Sequence, residues 1–294
     1  MQSFLKRIRD GEILLSDGAM GSLLMERGLK QGECPELLNI AKQEILEEIA
    51  QLYFDAGADI IQSNTFGASP MKLSEYGLDE KTEEINRAAV SIVKKIVGDK
   101  AYVYGSCGPS GKILQPFGEA DPDELYQGFK RQISAMVSAD VDVICVETMT
   151  DLEEAKLAVK AAKAIDPDIT VIASMTFDET PKGFYTIMGN SIKDSAFELE
   201  HEGADLLGSN CGNGIEKMLR IAAELKEVSN LPLMIQSNAG IPVNKEGKIV
   251  YPETPDFFAR KVPEFIAAGV SVIGGCCGTT PDTIRMMRKA IDSM

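Results

Sequence analysis

The sequence predicts a single (β/α)8 barrel, and three observations carry that prediction. Eight short apolar runs recur along 294 residues, helical patterns fall between them, and no linker, low-complexity tract or solenoid-length repeat breaks the alternation. In chain order the runs are EILLSD (12–17), DIIQSN (59–64), AYVYGS (101–106), VDVICVE (141–147), DITVIASMTF (168–177), ADLLGSN (204–210), LPLMIQSN (231–238) and VSVIGG (270–275). Most are continuously apolar, as parallel strands covered on both faces are. The helical patterns include QEILEEIAQLYFDAGA, TEEINRAAVSIVKKIVG, LEEAKLAVKAAKAI, IEKMLRIAAELKEV and TIRMMRKAI. Asp121-Pro122 with Glu124, Thr254-Pro255-Asp256 and Thr280-Pro281-Asp282 each place a capping side chain before a first-turn proline. The alternative, a doubly wound open sheet, calls for a Gly-rich phosphate turn after the first strand, and DGAMGS does not match that fingerprint. The reading is therefore one α/β domain over 1–294.

Composition narrows the function classes. The opening MQSFLKRIRD carries charge where a signal peptide needs an apolar stretch, and no window approaches a membrane span, so the cytoplasm is the expected compartment. A net charge of -15 argues against nucleic acid and against anionic membrane surfaces as partners. Six scattered cysteines are too few for a secreted disulfide framework, which leaves metal binding or thiol chemistry.

Barrel chemistry collects at the carboxyl ends of the strands. Just past the eight runs stand Asp17, Asn64, Cys107, Glu147, Asp178, Cys211, Asn238 and the pair Cys276-Cys277. Cys211 and Cys276 are 65 positions apart, yet they follow the sixth and eighth runs, which a barrel brings to one mouth. Three thiolates at about 2.3 Å from one zinc ion leave a fourth position open, the arrangement of a catalytic and not a structural zinc. Gly274, Gly275 and Gly278 are expected to give the backbone the freedom to aim two adjacent thiols at one ion. A vicinal disulfide would strain the intervening peptide and has no support in the cytosol. Cys34 and Cys145 read as small buried hydrophobes, with Cys145 on the same strand face as Glu147.

SNCGNG (209–214) and GGCCGTTP (274–281), together with LLSDGAMGS, IQSNTFGAS, ETMTD and SNAGIP, resemble the homocysteine S-methyltransferase family over nearly the whole chain. Within it, CCGTTP and SNAGIPVNKEGKIVYPETP resemble most the homocysteine-binding module of cobalamin-dependent methionine synthase, while relatives using S-methylmethionine often carry Arg where this chain has Gly278. The resemblance implies zinc on Cys211, Cys276 and Cys277, with Asn238 as an additional ligand or a turn holder. It also implies L-homocysteine as substrate and a separate methyl-corrinoid protein as donor. The corrinoid signature Asp-x-His-x-x-Gly is absent here, since Leu199 stands two before His201. A free thiol is mostly protonated at neutral pH, and zinc coordination removes that proton without a general base. That agrees with a chain whose single histidine, His201, sits at a predicted helix end.

The same motifs carry over Glu147 as partner of the substrate ammonium and Asp17 as a second acidic contact or a helix cap. Backbone N–H groups of Gly18, Ala19, Met20 and Gly21 are expected to receive the carboxylate, and Asn64 and Thr65 to shape the pocket floor. Two departures stand out: Cys107 in GSCGPSG, which admits a fourth thiolate or a redox partner, and the loop DETPKGFYTIMGNS after the fifth run. S-methylmethionine, betaine and S-adenosylmethionine remain alternative donors, and a zinc- or thiol-sensing module without catalysis is the rival of another class. A phosphate site near Gly274 is a further possibility, whereas a Schiff-base aldolase lacks its strand-end lysine.

Overall fold

The structure is a computed structural model that describes residues 2–245 and 248–294. All eight apolar runs contain strands: β1 Leu14–Leu15, β2 Ile60–Gln62, β3 Tyr102–Cys107, β4 Val143–Met149, β5 Thr170–Met175, β6 Leu206–Asn210, β7 Leu233–Ser237 and β8 Val270–Gly275. They form one parallel sheet in which each strand pairs with its sequence neighbour and β8 returns to β1. The ring shuts between β1 and β2 through a bridge from Ser16 to Ile60, with the Asp17 N–H on the Ile60 carbonyl at 3.1 Å. β1 is shorter than its run because the carboxylate of Asp59, not a strand carbonyl, takes the Leu15 N–H at 3.0 Å.

The helices lie where the sequence places them, among them Gln43–Asp55, Thr82–Val97, Leu152–Ile165, Ile215–Val228 and Pro281–Asp292. The caps form as expected: Asp121 accepts from the Asp123 N–H, Thr254 from Phe257, and Thr280 and Thr283 make a reciprocal capping box. Two antiparallel hairpins decorate the loops after β5 and β7, Asp178–Thr180 with Gly183–Tyr185 and Val243–Lys245 with Lys248–Val250. The first sits in the departing loop DETPKGFYTIMGNS.

Two apolar layers position the mouth. One lies between strands and helices; the other fills the barrel with inward side chains such as Leu14, Tyr104, Cys145, Ile172 and Met234. A short helix at Phe4–Arg9 plugs the amino-terminal end, where Phe4 meets Tyr102 edge-on at 5.3 Å. With one end stoppered and the interior solid, ligand space is left at the carboxyl end. No helix among the described residues is long and apolar enough to cross a membrane.

Candidate active site

A cavity of about 330 Å³ opens at the carboxyl ends of the strands, lined by Glu147, Cys211, Cys276, Cys277 and the turn Gly18–Gly21. None of the described lining residues is Lys, Arg or His. Apolar side chains form its lip, and two of them, Met25 and Phe66, are 62% and 42% exposed.

The three cysteine sulfurs lie within 4.8 Å of one another, and Cys211 and Cys277 are 3.9 Å apart. Tetrahedral sulfurs at about 2.3 Å from one zinc stand about 3.8 Å from each other, so the 3.9 Å between Cys211 and Cys277 matches a shared ion. Backbone bonds fix it. The Cys276 N–H donates to Ser237 at 2.8 Å, the Cys277 carbonyl accepts from Ala239 at 2.9 Å, and Cys211 itself adopts φ +61°. Hydrogen bonding among the three thiols pulls the Cys211 thiol below the usual range and pushes Cys276 and Cys277 up. A cluster in which one thiol ionises more readily than usual is predisposed to a cation.

The glycines divide this task differently from the sequence expectation. Only Gly278 takes a left-handed φ, +80°. Gly274 and Gly275 belong to β8 and are needed for space: a Cβ would stand 2.8 Å from the Ser16 Cβ at the first and 2.3 Å from the Thr279 hydroxyl at the second. Their smallness lets β1 and the Thr279 turn approach the strand end.

Glu147 is 6% exposed and ends the inward row above Cys145 and Val143. Its carboxylate accepts from the Ser106 hydroxyl at 2.5 Å and the Asn210 amide at 3.0 Å, and no ion pair reaches it among the described residues. Burial pushes its pKa up to about 7, with the Cys211 charge adding to the rise and the Ser106 bond opposing it. An acid so placed, without a cation of its own, is matched to a cationic ligand group.

Asp17 is fully buried and does not line the cavity. Its carboxylate accepts from the Gln62 N–H at 2.9 Å and touches the Ser16 hydroxyl, and the following helix Met20–Glu26 has Ala19 as its cap residue, so Asp17 is not a cap. Burial pushes its pKa up to about 8, the Gln62 N–H opposing and the Glu147 charge reinforcing the rise. A folded value above the unfolded one means that stability is lost as pH climbs from about 4 to about 8. Asp17→Asn keeps an oxygen for Gln62 but cannot ionise. It is expected to remove a slope of up to ~1.4 kcal/mol per pH unit in that window, so that its stability relative to wild type rises between pH 5 and pH 8 in urea titrations.

Gly18, Ala19, Met20 and Gly21 line the cavity as expected, but the Ala19 N–H is already donated to the Thr279 hydroxyl at 3.2 Å. First-turn donors such as those of Met20 and Gly21 lack intrahelical partners by geometry. Asn64 lines the cavity and ties its own loop to the Pro35 carbonyl and to Asn39. Thr65 lies outside the lining and bonds the Ser106 carbonyl at 2.7 Å, so it supports the floor from beneath. Asn238 reaches the Cys211 sulfur with its side chain, while its Oδ1 is buried without a hydrogen-bond partner among the described residues. Such an orphan acceptor beside three thiols fits a site built for a cation.

Cys107 is no fourth thiolate. It points outward from β3 into the layer beneath the helices, its thiol against the Gln132 amide oxygen at 3.5 Å, and burial raises its pKa. Cys34 and Cys145 are buried in apolar clusters as read from sequence. His201 lies in the last turn of Ile192–Glu202 and stacks on Phe197. Sequence reasoning missed Ser106, Thr148, Asn210 and Tyr251. Ser106 and Asn210 hold Glu147, and Thr148 and Tyr251 line the cavity. Strand parity already put Ser106 inward, and Asn210 immediately precedes a candidate ligand.

Fold and site together define a (β/α)8 barrel with a metal-competent three-cysteine cluster at its catalytic end. More particularly, the chain belongs to the homocysteine S-methyltransferase family, whose model matches residues 14–291, and so to the methyltransferases. It is 32% identical to methionine synthase of Mycobacterium leprae over 298 residues and 31% identical to that of Mycobacterium tuberculosis over 296, each alignment covering 95% of this chain. The chain spans 24% of the length of these curated relatives. Among solved structures, the metallated form of the homocysteine methyltransferase MmuM from Escherichia coli is similar with a TM-score of 0.79, covering 97% of this chain and 99% of that one at 23% identity. Its oxidised form gives 0.80 at 23% identity over 97% and 98% of the two chains. These likenesses establish the barrel.

Proposed function

We propose that the chain is a zinc-dependent homocysteine S-methyltransferase unit that passes a methyl group from a separate methyl-corrinoid protein to the sulfur of L-homocysteine, giving methionine. The observation that carries this reading is the meeting of Cys211, Cys276 and Cys277 with Glu147 in one cavity. Soft thiolates favour zinc over hard cations, and three protein ligands leave one coordination position for a substrate sulfur. Zinc, when bound, supplies a substrate sulfur that stays deprotonated at neutral pH.

The chain's own residues do the rest. Glu147 pairs with the ammonium, which draws its carboxyl from about 7 toward the ionised form. First-turn N–H groups at Met20 and Gly21 receive the carboxylate. Asp17, raised to about 8 by burial and held on the Gln62 N–H, stays mostly neutral and leaves the ammonium to Glu147. Asn238 would turn its orphan oxygen to the metal before substrate arrives. The exposed apolar lip at Met25 and Phe66 suits a large donor, and the methionine synthase relatives support methionine as product. Three thiols this close need a reducing compartment, which supports the cytoplasm.

The test is a donor screen on the zinc-loaded protein with homocysteine. Methylcobalamin or a methyl-corrinoid protein is expected to form methionine faster than S-methylmethionine, betaine or S-adenosylmethionine. A faster sulfonium donor would reassign the donor and leave the zinc site standing. Zinc bound with no methionine from any donor would favour the sensing module.

A further inference from the structure

Asn210 is 1% exposed, and every polar atom of its side chain is engaged. Oδ1 accepts from the Thr148 N–H and from the Ser174 hydroxyl, both at 2.8 Å. Nδ2 donates to the Thr148 hydroxyl at 2.8 Å and to Glu147 Oε2 at 3.0 Å. One amide therefore joins the ends of β4, β5 and β6 at the cavity.

Two features set it apart from an ordinary satisfied core amide. First, the other oxygen of Glu147 is held, among the described residues, by the Ser106 hydroxyl, so two neutral donors from different strands aim this carboxylate. Second, Thr148 sits at φ +59°, a conformation that β-branched residues avoid and that persists only when its surroundings over-determine it. Asn210 supplies that determination by gripping both the backbone N–H and the hydroxyl of Thr148. The next residue in the chain is Cys211, itself at φ +61°. The same strand end thus carries the clamp on the carboxylate and the first thiol.

We infer that Asn210 is a positioning residue that gives the site its selectivity for the amino group, by holding Glu147 at a fixed place relative to Cys211. A ligand whose sulfur reaches the cysteines then lays its ammonium on Glu147. The inference rests on the reading of Glu147 as the ammonium partner.

The test compares binding of homocysteine and of 4-sulfanylbutanoate, the same thiol acid without the amine, to zinc-loaded protein by calorimetry. Asn210→Asp keeps acceptor oxygens for Thr148 and Ser174 but sets an oxygen against Glu147. It is expected to weaken homocysteine roughly 10- to 100-fold, the range of one lost hydrogen bond to a charged group, and the deaminated thiol less than about threefold. Asn210→Ala should show the same selective loss, with bound zinc unchanged in both variants. A merely structural role would weaken both ligands alike. Equal losses, or unchanged homocysteine affinity in both variants beside an impaired Glu147→Gln, overturn the positioning role. A Glu147→Gln protein that binds homocysteine normally overturns the ammonium reading and the inference with it.

Discussion

Cys211→Ala is expected to abolish stoichiometric zinc binding and to lower methionine formation by ~10³-fold or more, since a metal of this kind contributes several kcal/mol to transition-state stabilisation. The reason is geometric. Cys276 and Cys277 are adjacent on one turn and need the third sulfur, brought by β6, to complete the triangle. Two thiolates and water make a far weaker zinc site than three thiolates. Of the three thiols only Cys211 is drawn down, by hydrogen bonding with the other two, so the variant also loses the most readily ionised of them. Cys107→Ala serves as the control: its thiol faces the helical layer, so metal content and rate should stay near wild type while the core loses some packing. Metal analysis after gel filtration reads both variants. Zinc retained at about one per chain in Cys211→Ala would remove the three-sulfur site and the proposed function built on it.

The barrel was legible because its strands announce themselves. β4 through β8 are mostly apolar and largely buried on both faces, are bounded by turn residues, and match the predicted runs within a few residues at each end. The cysteine cluster was legible because thiols are rare in this chain and fall at the ends of β6 and β8. What the sequence hides is direction and partnership. Cys107 looked like a mouth residue because it follows a strand, but Tyr104 and Ser106 take the inward positions of β3, and one residue of offset turns its thiol to the helices. Asp17 looked like a ligand contact for the same reason, yet its carboxylate closes the β1–β2 seam through Gln62. The clamp on Glu147 was unreadable, because Ser106 and Asn210 reach it from positions 41 and 63 residues away. Gly274 and Gly275 seemed to serve flexibility and in fact serve closeness. That distinction needs the neighbouring side chains.

Gly278→Ala should be the most damaging single-methyl change at the mouth. Its φ of +80° costs an L-residue about 1–2 kcal/mol. The new Cβ would also stand 2.1 Å from Cγ of Tyr251, with two further ring atoms within 2.5 Å. A ring moves only as a whole, and overpacking of this kind costs about 1–3 kcal/mol. Tyr251 is half-buried and can swing toward solvent, but it then uncovers the cysteine turn it lies against. The Cys277 carbonyl, one residue away, holds Ala239 at 2.9 Å, so relief by backbone movement would disturb the thiols instead. Together these give a loss of about 2–5 kcal/mol in unfolding free energy and a weaker hold on zinc, read by urea titration and chelator competition. A double-mutant cycle separates the two contributions. In a Tyr251→Ala background the ring is gone, and Gly278→Ala should cost only its conformational share. Strict additivity of the two substitutions would mean that the ring does not press on Gly278, and that the turn keeps its shape without the contact between them.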